Sequence, residues 1–93
     1  MGKMEEKSRR KARRGEIQKM VLETVKLAGI LSISLVAPNV VSVMNKMGLI
    51  SNKRQSEIVS SSASKLAKKG LLNFNGKYYE LTSKGESKLR QLE

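Results

Sequence analysis

The chain has no cysteine and no histidine, a single proline, no tryptophan, and only two tyrosines and one phenylalanine among its 93 residues. Without thiol or imidazole it has no disulfides, no thiolate or imidazole metal ligands and none of the usual nucleophile–base pairs. No cofactor, no metal and no catalysis are therefore expected. So few aromatics exclude a base-stacking platform of the single-strand-binding kind. Acids are scarce too: eight Asp and Glu stand against nineteen Lys and Arg, leaving a formal charge of +11 at neutral pH. A small domain this basic repels itself when alone, so a polyanion is the expected partner, nucleic acid first and an anionic membrane surface second. A chain with neither disulfides nor an export signal is expected in the cytoplasm, nucleoid-associated if the source is prokaryotic. Its length fits one domain with a modest core.

The hydrophobic runs are short and interrupted. Met1 to Arg14 carries seven basic residues, two acids and almost nothing apolar. It cannot bury a face, and it reads as a flexible basic arm, residues 1–14, ahead of a folded domain, residues 15–93. From Gly15 to about Leu31, apolar Ile17, Met20, Val21, Val25, Leu27, Ala28 and Leu31 recur at spacings of three and four, the mark of a first helix. The stretch Leu27 to Met44 is apolar enough to raise a membrane span, but Gly29, Ser32, Ser34, Pro38, Asn39 and Ser42 interrupt it, and no membrane segment is expected. Alternation over Ile33–Leu35 predicts a short extended segment. Ala37 precedes a proline and is disfavoured in helical geometry, so Pro38 is placed at the first position of a second helix. That helix buries Val40, Val41, Val43, Met44 and Met47 and stops at Gly48.

The chain is organised around the stretch that follows, Lys53 to Leu72, with Ser51 or Asn52 as its cap. Val59, Ala63, Leu66 and Ala67 form one apolar stripe, while Ser60, Ser61, Ser64, Lys65 and Lys68 fall on or near the opposite side. Glu57 is the only acid between Lys53 and Lys69. A helix that merely faces water normally mixes both signs of charge, so this face is suited to lie against phosphates, although a basic run is also what a solvated surface looks like. Beyond Gly70, LLNF, Asn75-Gly76 and KYYEL predict a hairpin with a type I′ turn, in which Phe74 faces Lys77, Asn73 faces Tyr78 and Leu72 faces Tyr79. Leu72, Tyr79 and Leu81 share its buried side, and Asn73, Tyr78 and Glu80 point away. Thr82 caps a last short helix with Leu89 and Leu92 to pack back.

The order helix, short strand, helix, basic helix, hairpin, helix, together with LAKKGLL and YELTSKG, resembles the winged helix-turn-helix domain of MarR-type and PadR-type regulators. Upstream, GILSISLVAPNVVSVM followed by the basic helix and KKGLL is similar to the N-terminal winged domain of PaaX-type repressors. The likeness covers about Glu16 to Glu93. It implies an α+β, mainly α fold: a three-helix core, a short strand, a two-stranded wing and a short C-terminal helix. The chain ends short of the effector-binding and dimerising regions of the larger regulators, so no small-molecule switch is expected.

By that resemblance the third helix enters a major groove and the wing meets backbone or minor groove. The matching positions are Lys53, Arg54, Gln55, Ser60, Ser61, Ser64, Lys65, Lys68 and Lys69 on the helix and Asn75 and Lys77 at the wing tip. Arg9, Arg10, Lys11, Arg13 and Arg14 of the arm add contacts to phosphates. Arg54 and Gln55 have side chains able to read guanine or adenine edges, whereas serines and lysines mostly bond phosphates. The expectation is sequence-tolerant binding of double-stranded DNA by a small transcription or mobile-element regulator. An RNA- or ribosome-associated binder and a protein-interaction module within a nucleic-acid complex are the alternatives. Only the first helix and the short Thr82–Glu93 segment are available for self-association, so a monomer or weak homodimer is expected.

Overall fold

The structure, a computed structural model, describes residues 9–93; residues 1–8 of the expected arm lie outside the described residues. Helix α1, Arg14–Ala28, buries Ile17, Met20, Val21, Leu22 and Val25 along one side. It stops at Gly29, whose φ of +79° suits a residue without Cβ and whose N–H returns to the Val25 carbonyl at 2.9 Å. Strand β1, Ile30–Ser32, follows at once, then helix α2, Ile33–Lys46, and helix α3, Lys53–Lys68. Strands β2, Leu72–Phe74, and β3, Tyr78–Leu81, form the wing, and helix α4, Ser83–Leu92, closes the chain. The three strands make one antiparallel sheet in the order β1-β3-β2. This is an α+β, mainly α winged helix-turn-helix topology, with α1, α2 and α3 packed on one another and on the sheet.

Two local expectations are corrected. The first strand lies at Ile30–Ser32, not at Ile33–Leu35, because alternation alone names a face and only pairing names a strand: Leu31 lies opposite Tyr79 and turns into the core. Residues Ile33–Leu35 are instead the first turn of α2, and Pro38 is its sixth residue. The bond that Pro38 cannot make would go to the Ser34 carbonyl, four residues earlier. Ser34 and Pro38 are both exposed, which leaves that carbonyl within reach of water and makes the proline tolerable one turn inside the helix.

The hairpin register is offset by two residues from the expected one. Leu72 lies opposite Leu81, Asn73 opposite Glu80 and Phe74 opposite Tyr79. The loop is Gly76-Lys77, closed by Asn75 N–H donating to the Tyr78 carbonyl at 3.1 Å. Positive φ is found at Gly76 alone, +101°, and not at Asn75. Asn75 acts through its side chain: Oδ1 accepts the amides of Lys77 at 3.2 Å and Tyr78 at 3.0 Å, an Asx-type closure that replaces the type I′ turn. An even offset preserves the faces, so Leu72 and Tyr79 are buried while Asn73 and Tyr78 are exposed.

The core joins α1 (Met20, Val21, Leu22, Val25), α2 (Val36, Val40, Met44), α3 (Val59, Ala63, Leu66), the sheet (Leu31, Leu72, Tyr79) and Leu89 of α4. Spacing misassigned some positions near helix ends. Leu27 is 88% exposed, and Val43 on α2 and Met47 just past its end are exposed too; the three line an open groove between α1 and α2 rather than the core. The apolar stretch Leu27–Met44 is divided among α1, β1 and α2, and among the described residues no helix is long and apolar enough to cross a membrane.

Candidate nucleic-acid interface

The position of α3 is set at both ends by local chemistry. Asn52 Oδ1 accepts the Gln55 amide at 3.0 Å and starts the helix. Gly70, with φ of +79°, ends it, and Leu71 N–H returns to the Leu66 carbonyl at 3.0 Å. Burial of Val59, Ala63 and Leu66 then fixes the helix phase. Arg54, Ser60, Ser61, Ser64, Lys65, Lys68 and Lys69 all lie exposed. Gln55, expected to read bases, is 1% exposed. It sits on the side of α3 that carries Val59 and Leu66, where it borders an open groove beside the helix with little of its own surface open to solvent.

The chain ahead of α1 is held against the domain by specific bonds. The Arg10 carbonyl accepts Ile50 N–H at 2.9 Å, forming a parallel bridge to Leu49. Arg10 Nη1 and Nη2 donate to Glu16 Oε1 and Oε2, each at 2.7 Å, a bidentate pair. Arg10 Nη1 also reaches the Lys11 carbonyl at 3.3 Å. Glu16 Oε1 takes the Arg13 amide at 2.9 Å as well, which satisfies one of the free amides at the start of α1. The Arg10 hydrogen bond first, and the Arg13 amide second, hold the Glu16 carboxyl far below its ordinary range, at about 2, and the same pairing raises Arg10. Arg9 Nη1 donates to Asn45 Oδ1 on α2 at 3.0 Å, and Ala12 packs on the core.

Between this segment and α3 runs an open groove of about 1030 Å³. Lys11, Arg14, Lys53, Arg54, Gln55, Ser61, Lys65 and Lys69 line it, with Glu57 as the one acid on its wall among the described residues. Eight of the expected contact residues are thus brought together from two parts of the chain that are about forty residues apart. Glu57 does not neutralise them, and in a confined groove like charges add to a stronger local field than the same residues would produce on a flat surface. Arg13 stands exposed at the N-cap of α1. Ser60, Ser64 and Lys68 are exposed on α3 without lining the groove, and Asn75 and Lys77 form the wing tip, where the Asn75 oxygen is already taken by two amides.

Sequence reasoning missed Glu16. Its signal was the spacing Arg13-x-x-Glu16, half of a capping box whose first residue cannot accept a hydrogen bond and so did not match the Ser/Thr pattern. Ile58, partly exposed on the groove wall, was missed because it interrupts the polar face. Among the described residues there is no group of three His, Cys, Asp or Glu side chains able to hold a metal ion. No protein-family model, curated protein or solved structure matches the chain at a significant level.

Proposed function

We propose that the protein is a sequence-tolerant nucleic-acid binder, with double-stranded DNA as its preferred ligand, acting as a small transcription or mobile-element regulator. The observation that carries this reading is the groove along α3, where six cations, from α3 and its C-terminal end and from the start of α1 and the segment ahead of it, line a common space with a single acid among the described lining residues. Phosphate contacts dominate: lysines outnumber groups able to read base edges, and with Gln55 buried, Arg54 is the main candidate for bidentate contact with a base. The wing is a two-residue loop with one lysine, enough to touch a phosphate and too short for deep insertion into a minor groove.

A gel-shift panel of mixed-sequence duplex DNA, structured RNA and single strands, each at two salt concentrations, tests the reading. Duplex DNA should bind best and lose affinity steeply with salt. Stronger binding to structured RNA would move the function to RNA, and no binding to any of them at low salt would favour an acidic protein as the partner.

A further inference from the structure

In a chain with +11 net charge, an acid on the helix next to the basic groove would be expected to weaken binding of a polyanion, and Glu16, although it lines the neighbouring groove between α1 and α2, is such an acid. Glu16 is nonetheless well bonded: both oxygens accept from Arg10, and one also accepts from the Arg13 amide. Arg10 in turn holds the Lys11 carbonyl and bridges its own carbonyl to the Ile50 amide. The polar bonds of Arg10 therefore fix the peptide that carries Lys11, and Lys11, with Arg14, lines the side of the groove opposite α3.

We infer that Glu16 is a positioning residue for nucleic acid: it latches Arg10 so that Lys11 forms a second wall opposite Arg54, Lys65 and Lys69, and one phosphodiester backbone runs between the two walls. This rests on the nucleic-acid reading of the groove and deepens it. Arg10 is reassigned from phosphate contact to the latch, because its guanidinium is already paired in a planar fork with Glu16. The alternative role for Glu16, a helix-start acid that only stabilises α1, makes a different prediction for binding.

The sign of one substitution separates the two. Glu16→Gln removes a negative charge, so electrostatics alone makes duplex binding tighter. The latch makes it weaker, because Lys11 leaves the track. Loss of one phosphate contact flattens the slope of log affinity against log salt by about 0.9 and lowers affinity on the order of tenfold at about 0.1 M salt. Glu23→Gln is the control: this acid sits on the same helix, shares with Glu16 the groove between α1 and α2, and pairs with Lys19 at 3.9 Å rather than with Arg10. It should bind slightly tighter than the parent.

A double-mutant cycle gives the second readout. Lys11→Ala should weaken binding in the parent and have no further effect in the Glu16→Gln protein. The same cycle on Arg10→Gln, which leaves the Glu16–Arg13 cap in place, serves if Glu16→Gln does not fold, as judged by circular dichroism. A Glu16→Gln protein that binds duplex DNA as tightly as the parent or tighter overturns the latch, and so does a Lys11→Ala effect of equal size in both backgrounds. A parent that binds no nucleic acid overturns instead the functional reading beneath it.

Discussion

Gly85 and Gly15 allow the same substitution to be tried where the fold forbids it and where the fold is indifferent. Gly85 is buried in the first turn of α4, and a Cβ built there would stand 2.0 Å from the Leu71 carbonyl oxygen and 2.8 Å from Leu81 Cδ1. Real Cβ atoms essentially never come within 3.0 Å of such neighbours, so α4 and the Leu71 peptide must part by about 1 Å. That carbonyl also accepts Thr82 Oγ1 at 3.0 Å and Thr82 N–H at 3.3 Å. Thr82 Oγ1 is the cap that takes the Gly85 amide at 2.9 Å. Overpacking costs ~1–3 kcal/mol and a lost cap ~1 kcal/mol, so Gly85→Ala should destabilise by about 2–4 kcal/mol. For a domain of this size the melting temperature should fall by roughly 10–25 °C. At Gly15, within α1 and with nothing inside 4 Å of the Cβ position, Gly15→Ala should raise stability by ~0.4–1 kcal/mol. Thermal and urea unfolding followed by far-ultraviolet circular dichroism measure both. A Gly85→Ala protein as stable as the parent would refute the close approach of α4 to Leu71, and with it the packing that carries the wing.

Leu66 is 1% exposed between α3 and the core, so Leu66→Ala should cost ~2–5 kcal/mol in urea unfolding, and a negligible loss would mean that the phase of α3, and hence the choice of groove face, is wrong. If ~5–7 phosphates are neutralised, log affinity for duplex DNA should fall against log salt with a slope of about −5 to −6. Lys65→Ala, on the groove wall, should flatten that slope by about one unit, and Lys68→Ala, which does not line the groove, should flatten it less; the reverse order in salt titrations would move the interface off the groove. Glu16 is depressed to about 2 when folded, below the ~4.3 of a free glutamate, so its pairing adds stability that is fully present above about pH 4.3 and is lost as pH falls toward 2. In acid unfolding the parent should lose stability relative to Glu16→Gln across that window, and parallel curves for the two proteins would show that the Arg10 pair is not maintained in solution.

Much of the architecture was legible in the linear chain because it depends on neighbours a few residues apart. Spacings of three and four apolar residues located α1 and α3, Asn52 and Thr82 announced their helices as caps, and Gly48 and Gly70 marked stops through their freedom to take positive φ. The basic, acid-poor face of α3 was legible for the same reason: phase follows from periodicity. What only the tertiary structure decided was everything that depends on a partner distant in sequence. Strand β1 falls at Ile30–Ser32 because β3 is there to pair with it, and Gln55, polar and well placed by spacing, is buried because the neighbouring elements close over that side of α3. The groove itself has two walls, and no local pattern joins Lys11 to Lys65; they meet because the Arg10 peptide bonds to Ile50 and its side chain to Glu16, a pairing of long side chains that periodicity does not encode.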